Sequence, residues 1–333
     1  MQAGRPYKMS MRLFMKWKLT LVAIWAAAIL PFLGCAGAEE TINGNEGAVE
    51  SAVTFTDDLG RSLTLAQPQR VAAMIGSFAD VWCLAGGQDS LAAAAGDAWT
   101  SFDLGLDEHV LNLGAVKEPS LETLLLAEPD LILASCNTAA NVELLDTFEK
   151  MRIPVAYFDI QCFDDYLRML KVCTLLTGRQ ENYERYGLEV QGQVEAAIAR
   201  QSGEAPEILC MRATGSSCKV KGSKDFLLGE MLAHLGCVNV ADGSSLLEDL
   251  SLEAIIRADP DYIFVVLQGA DPRDAQAALE KGLLSNPAWG TLRAVQEGRF
   301  YTLDHSLYNL KPNARWGEAY ERLAEILYPE KGQ

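Results

Sequence analysis

The chain has 333 residues, of which 49% are hydrophobic and 22% are charged, as is usual for globular proteins of one or two domains. The 28 Lys and Arg are outnumbered by 45 Asp and Glu, so the formal net charge at pH 7 is −17. A charge this negative excludes binding to nucleic acid through general attraction to its phosphates. We therefore predict a protein with a sizeable core and no nucleic-acid partner.

The first 34 residues differ from the rest because they contain five basic residues and no acidic one. An apolar stretch runs from Leu19 to Leu33, just before Gly34 and Cys35. A basic region, a short apolar segment and a small residue before the cleavage point are typical of an export signal. At about 1.5 Å per residue this stretch is roughly 22 Å long, too short for a hydrocarbon core of roughly 30 Å. We therefore interpret it as a cleaved signal and not a permanent span.

The segment ending at Cys35 resembles the lipobox of bacterial lipoproteins, in which the cysteine becomes the first mature residue and carries the lipid. Phe32 departs from the leucine usual at that position, so a plain signal peptide and a membrane anchor stay open as alternatives. The polar residues 35–52 are typical of a flexible tether. The resemblance implies an extracytoplasmic protein held to the cell membrane by a lipid on Cys35.

The seven other cysteines are scattered along the chain, and none has the CxxC spacing of a structural zinc site. Most lie in apolar runs, which favours small buried side chains, although a disulfide between Cys210 and Cys218 stays open. The seven are Cys83, Cys136, Cys162, Cys173, Cys210, Cys218 and Cys237.

An internal repeat predicts the architecture. Residues 120–134 read SLETLLLAEPDLILA and residues 251–265 read SLEAIIRADPDYIFV, with seven identical positions at a constant offset of 131. In each copy a serine can cap a short helix, Pro-Asp ends it, and an apolar run suits a strand buried on both faces of a parallel sheet. Two copies predict two similar α/β lobes.

The other predicted elements fit this plan in chain order. We predict strands at 71–75, 155–158, 208–211 and 300–303, and helices at 142–151, 227–235 and 314–327. A helical region from Asp164 to about Arg200, with a break near Thr177 and Gly178, lies between the lobes. The predicted class is α/β, with two Rossmann-like lobes that have parallel sheets, a long spanning helix between them and a ligand cleft. The predicted divisions are a signal at 1–34, a tether at 35–52, lobes at 53–160 and 203–333, and a spanning region at 161–202.

Several motifs resemble those of the ABC-transporter substrate-binding proteins that have a helical backbone and bind ferric siderophores, haem or cobalamin. They are TFTDDLGRSLTL at 54–65 with PQRV at 68–71, the repeated SLE and PD motifs, NPAWGTL at 286–292 and GRFY at 298–301. The likeness covers roughly residues 53 to 328. It implies a membrane permease dimer with its ATPase as partners, and a metal chelate as ligand. It also implies that an exposed glutamate of each lobe, Glu122 and Glu253, docks against basic permease residues.

Ligands of paired α/β lobes bind beyond the carboxyl ends of the parallel strands, so we expect the loops there to line the site. Two loops of the second lobe are basic and contain no acid, at 211–224 and 305–315, which suits an anionic chelate. A solvated basic loop is the alternative. The candidate ligand-binding residues are Ser77, Phe78, Trp99, Lys117, Asn137, Arg212, Lys219, Gln268, His305, Tyr308 and Arg315.

The three histidines, His109, His234 and His305, lie far apart in the sequence. We expect His234 to pack within a helix, whereas His305 follows a strand and could reach haem iron. Too few histidines are present for the site of the family's zinc- and manganese-binding relatives, so we predict no resident metal and no cofactor.

The sequence lacks GxSxG, GxxxxGK[ST], HExxH and a GxGxxG after a strand, which argues against catalysis. An extracytoplasmic enzyme on a related fold and a tethered ligand sensor are the alternatives to transport. The sequence does not distinguish a ferric siderophore from haem, a corrinoid or another chelate.

Overall fold

The structure is a computed structural model that describes residues 52–224, 226–242, 251–269 and 271–329. The predicted signal, Cys35 and all of the tether except residue 52 lie outside these ranges. No helix in the part of the chain that the structure describes is long and apolar enough to cross a membrane.

The first lobe follows a short antiparallel hairpin, β1 (Val53–Thr56) and β2 (Ser62–Leu65). Its five-stranded parallel sheet has the order β5-β4-β3-β8-β9. The strands are β3 (Val71–Ala73), β4 (Leu91–Ala94), β5 (Leu111–Asn112), β8 (Leu131–Ser135) and β9 (Val155–Phe158), with β6 (Gly114–Ala115) and β7 (Glu118–Pro119) as a separate small hairpin. The helices are α1 (Gly76–Leu84), α2 (Asp97–Thr100), α3 (Leu121–Leu126), α4 (Ala139–Glu143) and α5 (Leu145–Met151).

The spanning region begins with α6 (Phe163–Thr177) and breaks at Gly178, which has a φ of 71°. The chain then continues through α7 (Gln180–Tyr183), a π-helical turn (Glu184–Leu188) and α8 (Glu189–Ile198). The break lies where the sequence predicts it, because glycine adopts this left-handed conformation without strain. The region is therefore two helical rods joined at Gly178.

The second lobe has a five-stranded sheet with the order β11-β10-β13-β14, in which β12 also pairs with β10. The strands are β10 (Glu207–Thr214), β11 (Ser217–Lys221), β12 (Val238–Asn239), β13 (Tyr262–Leu267) and β14 (Phe300–Leu303). The helices are α9 (Leu227–His234), α10 (Leu252–Ala258), α11 (Pro272–Leu279), α12 (Arg293–Gln296), α13 (His305–Tyr308) and α14 (Trp316–Leu327). A π-helical turn (Glu280–Leu284) and 3-10 turns at Gln88–Ser90, Pro287–Thr291 and Asn313–Arg315 complete the regular structure.

The α/β class with two lobes is confirmed, with one correction to the expected parallel sheets. The second sheet is mixed, because β11 runs antiparallel to β10. Only Gly215 and Ser216 separate these strands, and so short a connection can join antiparallel strands but not parallel ones.

The two copies of the repeat form the same structure. Ser120 and Ser251 cap α3 and α10, accepting hydrogen bonds from the backbone N–H of Thr123 (3.1 Å) and Ala254 (3.4 Å). Each helix leads through Pro-Asp into a buried strand, β8 or β13. The internal repeat in the sequence therefore corresponds to one helix-to-strand unit in each lobe.

The aspartates at the end of the repeat hold the start of the neighbouring strand. Asp130 accepts hydrogen bonds from the backbone N–H groups of Gln69 (2.8 Å) and Arg70 (3.0 Å), just before β3. Asp261, at the matching position, accepts from the backbone N–H of Glu207 (3.0 Å), where β10 begins. The Pro-Asp motif therefore aligns two adjacent strands in each lobe.

One cluster of buried side chains runs through both lobes and the spanning region. It includes Leu133 of the first lobe, Tyr166 of α6, Val194 of α8, and Phe264 and Trp316 of the second lobe, all at most 4% exposed. Two smaller clusters cover the other face of each sheet. The lobes therefore share a core across the spanning helices.

The seven described cysteines are all unpaired, and two of them, Cys173 and Cys210, are fully buried. Cys210 belongs to the shared core cluster, whereas Cys218 packs against the cluster on the opposite face of the sheet. These two side chains point away from each other, so the hairpin cannot join them in a disulfide.

Candidate ligand-binding site

A cavity of about 200 Å³ lies between the lobes. We call it the interlobe cavity. Asp80, Leu84, Ser101 and Phe102 of the first lobe line one side, and Ser306, Leu310, Lys311, Pro312, Ala314 and Arg315 of the second lobe line the other. Its lining residues follow β3, β4 and β14 in the chain, and open α/β sheets bind their ligands with segments that follow the parallel strands. The interlobe cavity is therefore the candidate ligand site.

A larger cavity of about 490 Å³ lies within the first lobe, beside the segments that precede β3 and β4 and the end of α6. This is the amino-terminal edge of the sheet. We do not assign the ligand to it, because ligands of parallel sheets bind at the opposite edge.

Lys311 brings a positive charge from the second lobe to the interlobe cavity. Burial lowers the pKa of its ammonium group, and the nearby carboxylates of Asp159 and Asp165 act in the opposite direction. Asp159 of the first lobe and Asp165 of α6 thus partly balance this cation. Residues 305–315 include no acidic residue, but the fold places acidic side chains of other segments near this loop.

Arg315 lines the cavity, but its guanidinium group is already bound. Its Nε and one terminal nitrogen donate to the two carboxylate oxygens of Glu318 at 2.7 and 3.1 Å. This hydrogen bonding raises the pKa of Arg315. A ligand would therefore have to share or displace Glu318 to contact Arg315.

Arg212 and Lys219 form a cationic pair on the hairpin of β10 and β11. They are directly opposite each other in the antiparallel register. Like charges in this arrangement repel each other and destabilise a hairpin. We call this pair the cationic hairpin face.

The register of the second sheet places other candidate residues near this face. Arg212 is beside Val266 of β13, which is beside Leu303 of β14. Gln268 and His305 follow these two strands, so both lie at the same carboxyl edge as Arg212. Lys219, opposite Arg212, is the fourth candidate at this edge, and none of the four is among the residues that line the interlobe cavity.

Three candidates are buried in the fold instead of exposed to the cleft. Phe78 is 1% exposed and packs edge-on against Phe158, with ring centroids 6.1 Å apart. Tyr308 is 2% exposed, and its hydroxyl donates to the backbone oxygen of Ala319 at 3.1 Å. Neither ring is free to stack on a ligand, because both pack in the shared core cluster. The third, Ser77, is 5% exposed.

The three remaining candidates of the first lobe lie apart from the cavity lining. Trp99 is half-buried on α2 and packs against the shared core. Lys117 is exposed in the turn between β6 and β7. Asn137 is also exposed, and its side-chain nitrogen donates to Asp159 at 2.6 Å. Ligand contact by these residues stays a prediction.

Sequence reasoning missed the first-lobe wall of the cavity. Asp80 and Leu84 are on α1, and Ser101 and Phe102 directly follow α2. The predicted residues Ser77, Phe78 and Trp99 come just before these positions in the chain, closer to the strand ends. An aspartate in an apolar helix was the one available signal, because a carboxylate there needs a polar partner.

The histidines have separate environments. His234 stacks on Tyr320, and its Nδ1 is 2.7 Å from the tyrosine hydroxyl oxygen, which agrees with a packing role. His305 is half-buried at the start of α13, so a contact with haem iron stays a prediction. The described ranges contain no group of three or more His, Cys, Asp or Glu arranged to hold a metal ion.

Glu122 and Glu253 occupy matching places in the two lobes. Each is exposed in the first turn of its helix, two residues after the serine cap. Negative side chains are favoured there by the helix dipole alone, so the position does not by itself demonstrate docking.

Comparison with known proteins identifies the family. A family model described as periplasmic binding protein matches residues 71–307. The chain belongs to this family of binding proteins, and it is not an enzyme.

Two relatives from Bacillus subtilis (strain 168) are similar over most of the chain. One is YfmC, named as an Fe(3+)-citrate-binding protein, which is 21% identical over 306 residues that cover 90% of this chain and 93% of YfmC. The other is YhfQ, named as a candidate ABC transporter substrate-binding lipoprotein, which is 20% identical over 283 residues, 81% of this chain and 86% of YhfQ.

A solved structure supports the fold. The periplasmic heme-binding protein RhuT from Roseiflexus sp. RS-1 aligns with a TM-score of 0.63 and 22% identity, covering 78% of this chain and 98% of RhuT. At this identity the likeness concerns the fold alone.

Proposed function

We propose that the protein is the substrate-binding component of an ABC importer and captures an anionic iron chelate between its two lobes. The family and the name of YhfQ support a substrate-binding role in ABC transport, and the name of YfmC supports an iron chelate as the ligand. The prediction that the ligand is anionic rests on the environment of the Arg212 side chain.

Arg212 differs from the other half-buried arginines of the described residues. Arg61, Arg200 and Arg299 each form an ion pair with a carboxylate. Within the same ranges, Arg212 forms no ion pair or side-chain hydrogen bond, and Lys219 is opposite it. A half-buried guanidinium that has lost part of its hydration is stabilised by an anion that accepts two of its hydrogen bonds. The cationic hairpin face therefore favours a ligand with carboxylate or similar oxygen groups.

The rest of the proposal follows from the sequence. A lipid on Cys35 would hold the protein on the outer face of the cell membrane, with residues 35–52 as tether, lobes at 53–160 and 203–333, and a spanning region at 161–202. Glu122 and Glu253, one in each lobe, would dock on a permease dimer that works with an ATPase.

Native mass spectrometry and absorbance spectra of the purified protein, titrated with ferric citrate, ferric siderophores, haemin and cobalamin, test the ligand class. We expect one equivalent of an anionic iron chelate to bind and to leave the protein unchanged. Binding of none of these compounds would contradict the proposal, and consumption of the ligand would indicate an enzyme.

The role of Arg212 has a matched control nearby. Arg212→Ala should weaken binding of the chelate by roughly 10- to 100-fold, because hydrogen bonds to charged groups contribute about 1.5–3 kcal/mol. Lys281→Ala removes an equal charge from an exposed position of the second lobe, outside the loops at 211–224 and 305–315, and should have little effect. Equal affinities of the two variants would show that only overall charge matters.

A further inference from the structure

A short segment of the second lobe reaches into the first lobe beside the interlobe cavity. We call residues 311–315 the strap. Lys311, Pro312, Ala314 and Arg315 of the strap line the cavity, and the remaining residue, Asn313, is fully buried. Directly after the strap, Trp316 of α14 packs against Phe163 of α6, with ring centroids 5.8 Å apart.

Asn313 ties the strap to α1 of the first lobe. Its side-chain nitrogen donates to the backbone oxygen of Ser77 at 2.9 Å and to the carboxylate of Asp80 at 2.8 Å. The backbone oxygen of Ser77 and the carboxylate of Asp80 both accept hydrogen bonds. The side-chain nitrogen of Asn313, and not its oxygen, must therefore face them. These bonds join positions more than 230 residues apart in the chain.

We call the two hydrogen bonds of Asn313 the tie. The tie forms despite features that destabilise it. Asn313 has a left-handed backbone with a φ of 50°, which residues other than glycine rarely adopt. Its side-chain oxygen is buried and has no hydrogen-bond partner among the described residues. Asp80 is also half-buried, and this burial raises the pKa of its carboxyl group. A site selected for stability alone would contain apolar side chains here.

The position of the tie links it to the size of the ligand site. Asp80 lies in one wall of the interlobe cavity, and the strap forms the other wall. Moving these walls apart therefore requires breaking the hydrogen bonds of Asn313. With the bonds formed, the cavity volume of about 200 Å³ is below the roughly 300–1,000 Å³ of pockets for drug-sized ligands.

We propose that Asn313 is a specificity-determining residue, which fixes the width of the interlobe cavity and so selects compact chelates over tetrapyrroles. This inference rests on the proposed function, because it takes the cavity as the ligand site. Asn313 acts by positioning the two walls and does not itself contact the ligand.

Asn313→Gly is the variant that tests this role, because glycine keeps the left-handed backbone and removes only the side chain. In titrations with ferric citrate and haemin, we expect the preference for ferric citrate to fall at least about tenfold. In hydrogen exchange of the ligand-free protein, the backbone amides at the start of α1, residues 76–79, should exchange roughly tenfold faster.

Asp80→Asn is the matched control, since its amide oxygen can still accept the hydrogen bond from Asn313. It should keep the wild-type exchange rate in the ligand-free protein. Only exchange is compared for this variant, because Asp80 itself lines the cavity. Asp80→Ala removes the acceptor and should increase exchange as Asn313→Gly does, which provides a second variant if glycine at 313 prevents folding.

Wild-type exchange and wild-type selectivity in Asn313→Gly would overturn the inference, and so would faster exchange with unchanged selectivity. The exchange measurement needs no ligand. A protein that binds neither chelate would thus refute the proposed function and the selectivity role, while exchange would still report whether the tie exists.

Discussion

Asp80 is a carboxylate that the fold buries at the wall of the interlobe cavity. Burial raises its pKa, and the hydrogen bond from Asn313 offsets part of that effect. An acid whose pKa is higher in the folded than in the unfolded state stabilises the protein most below its unfolded pKa of about 3.9. That stability is lost as the pH rises through the folded pKa.

Replacing Asp80 by Asn should therefore change the dependence of stability on pH. We expect Asp80→Asn to melt at a higher temperature than the wild type at pH 7, because an uncharged group avoids the desolvation of a carboxylate. At pH 4 the difference should shrink. The thermal midpoint measured by circular dichroism from pH 4 to 8 tests this.

Two titratable neighbours of Asp80, Cys83 and Tyr166, do not complicate this measurement. Burial raises the pKa of the Cys83 thiol to about 12 and raises that of Tyr166 as well, so both stay protonated over the range. A melting temperature lower than that of the wild type at every pH would show that the charge itself stabilises the fold.

Individual site residues were the least predictable part of the molecule from sequence. The acid-free loop at 305–315 suggested two free cations. However, Arg315 binds Glu318 one helical turn further on, and Lys311 is near acids of the first lobe and of α6. Phe78 follows a strand as predicted, yet it points into the core. Sequence order shows which residues follow a strand end, but the packing of neighbouring helices decides which of them face the cleft.

At the scale of elements, prediction succeeded where a local pattern was sufficient. The strands at 155–158 and 300–303 and the break at Gly178 were predicted correctly. The helix expected at 142–151 is divided into α4 and α5, and α14 begins at Trp316, two residues later than expected. The repeat was the strongest signal. In each copy, the capping serine, the Pro-Asp pair and the apolar run together specify one structural unit.

The aspartates of the repeat allow a test of this unit. Asp130→Ala and Asp261→Ala should each lower the free energy of unfolding by about 1–3 kcal/mol. The backbone N–H groups just before β3, or at the first residue of β10, lose their partner. Asp107→Ala, which alters a side chain that is 77% exposed, is the control and should change it by under about 0.5 kcal/mol. Urea denaturation measures all three. A loss of stability in only one of the two variants would mean that the two copies of the repeat do not share this role.

At the scale of the whole molecule, the two matching glutamates predict how the protein meets a partner. Glu122→Arg combined with Glu253→Arg should abolish uptake in cells that carry the importer, because both lobes would then repel basic permease residues. Ligand affinity of the purified protein should stay unchanged. Uptake of a radiolabelled iron chelate is the measurement.

The control for this double variant changes the same charges elsewhere. Glu143→Arg with Glu325→Arg alters one exposed helical glutamate in each lobe, away from α3 and α10. It should support normal uptake. Equal loss of uptake in both double variants would point to overall charge and not to docking at Glu122 and Glu253.

The core cluster that passes from the first lobe through α6 and α8 into the second has a consequence for folding and motion. Neither lobe can complete its interior alone, so we expect one cooperative transition in calorimetry, and we expect either half expressed separately to aggregate. Separating the lobes widely would expose this shared interior to water. Capture and release of a ligand therefore have to proceed by small-amplitude rocking about a permanently joined centre.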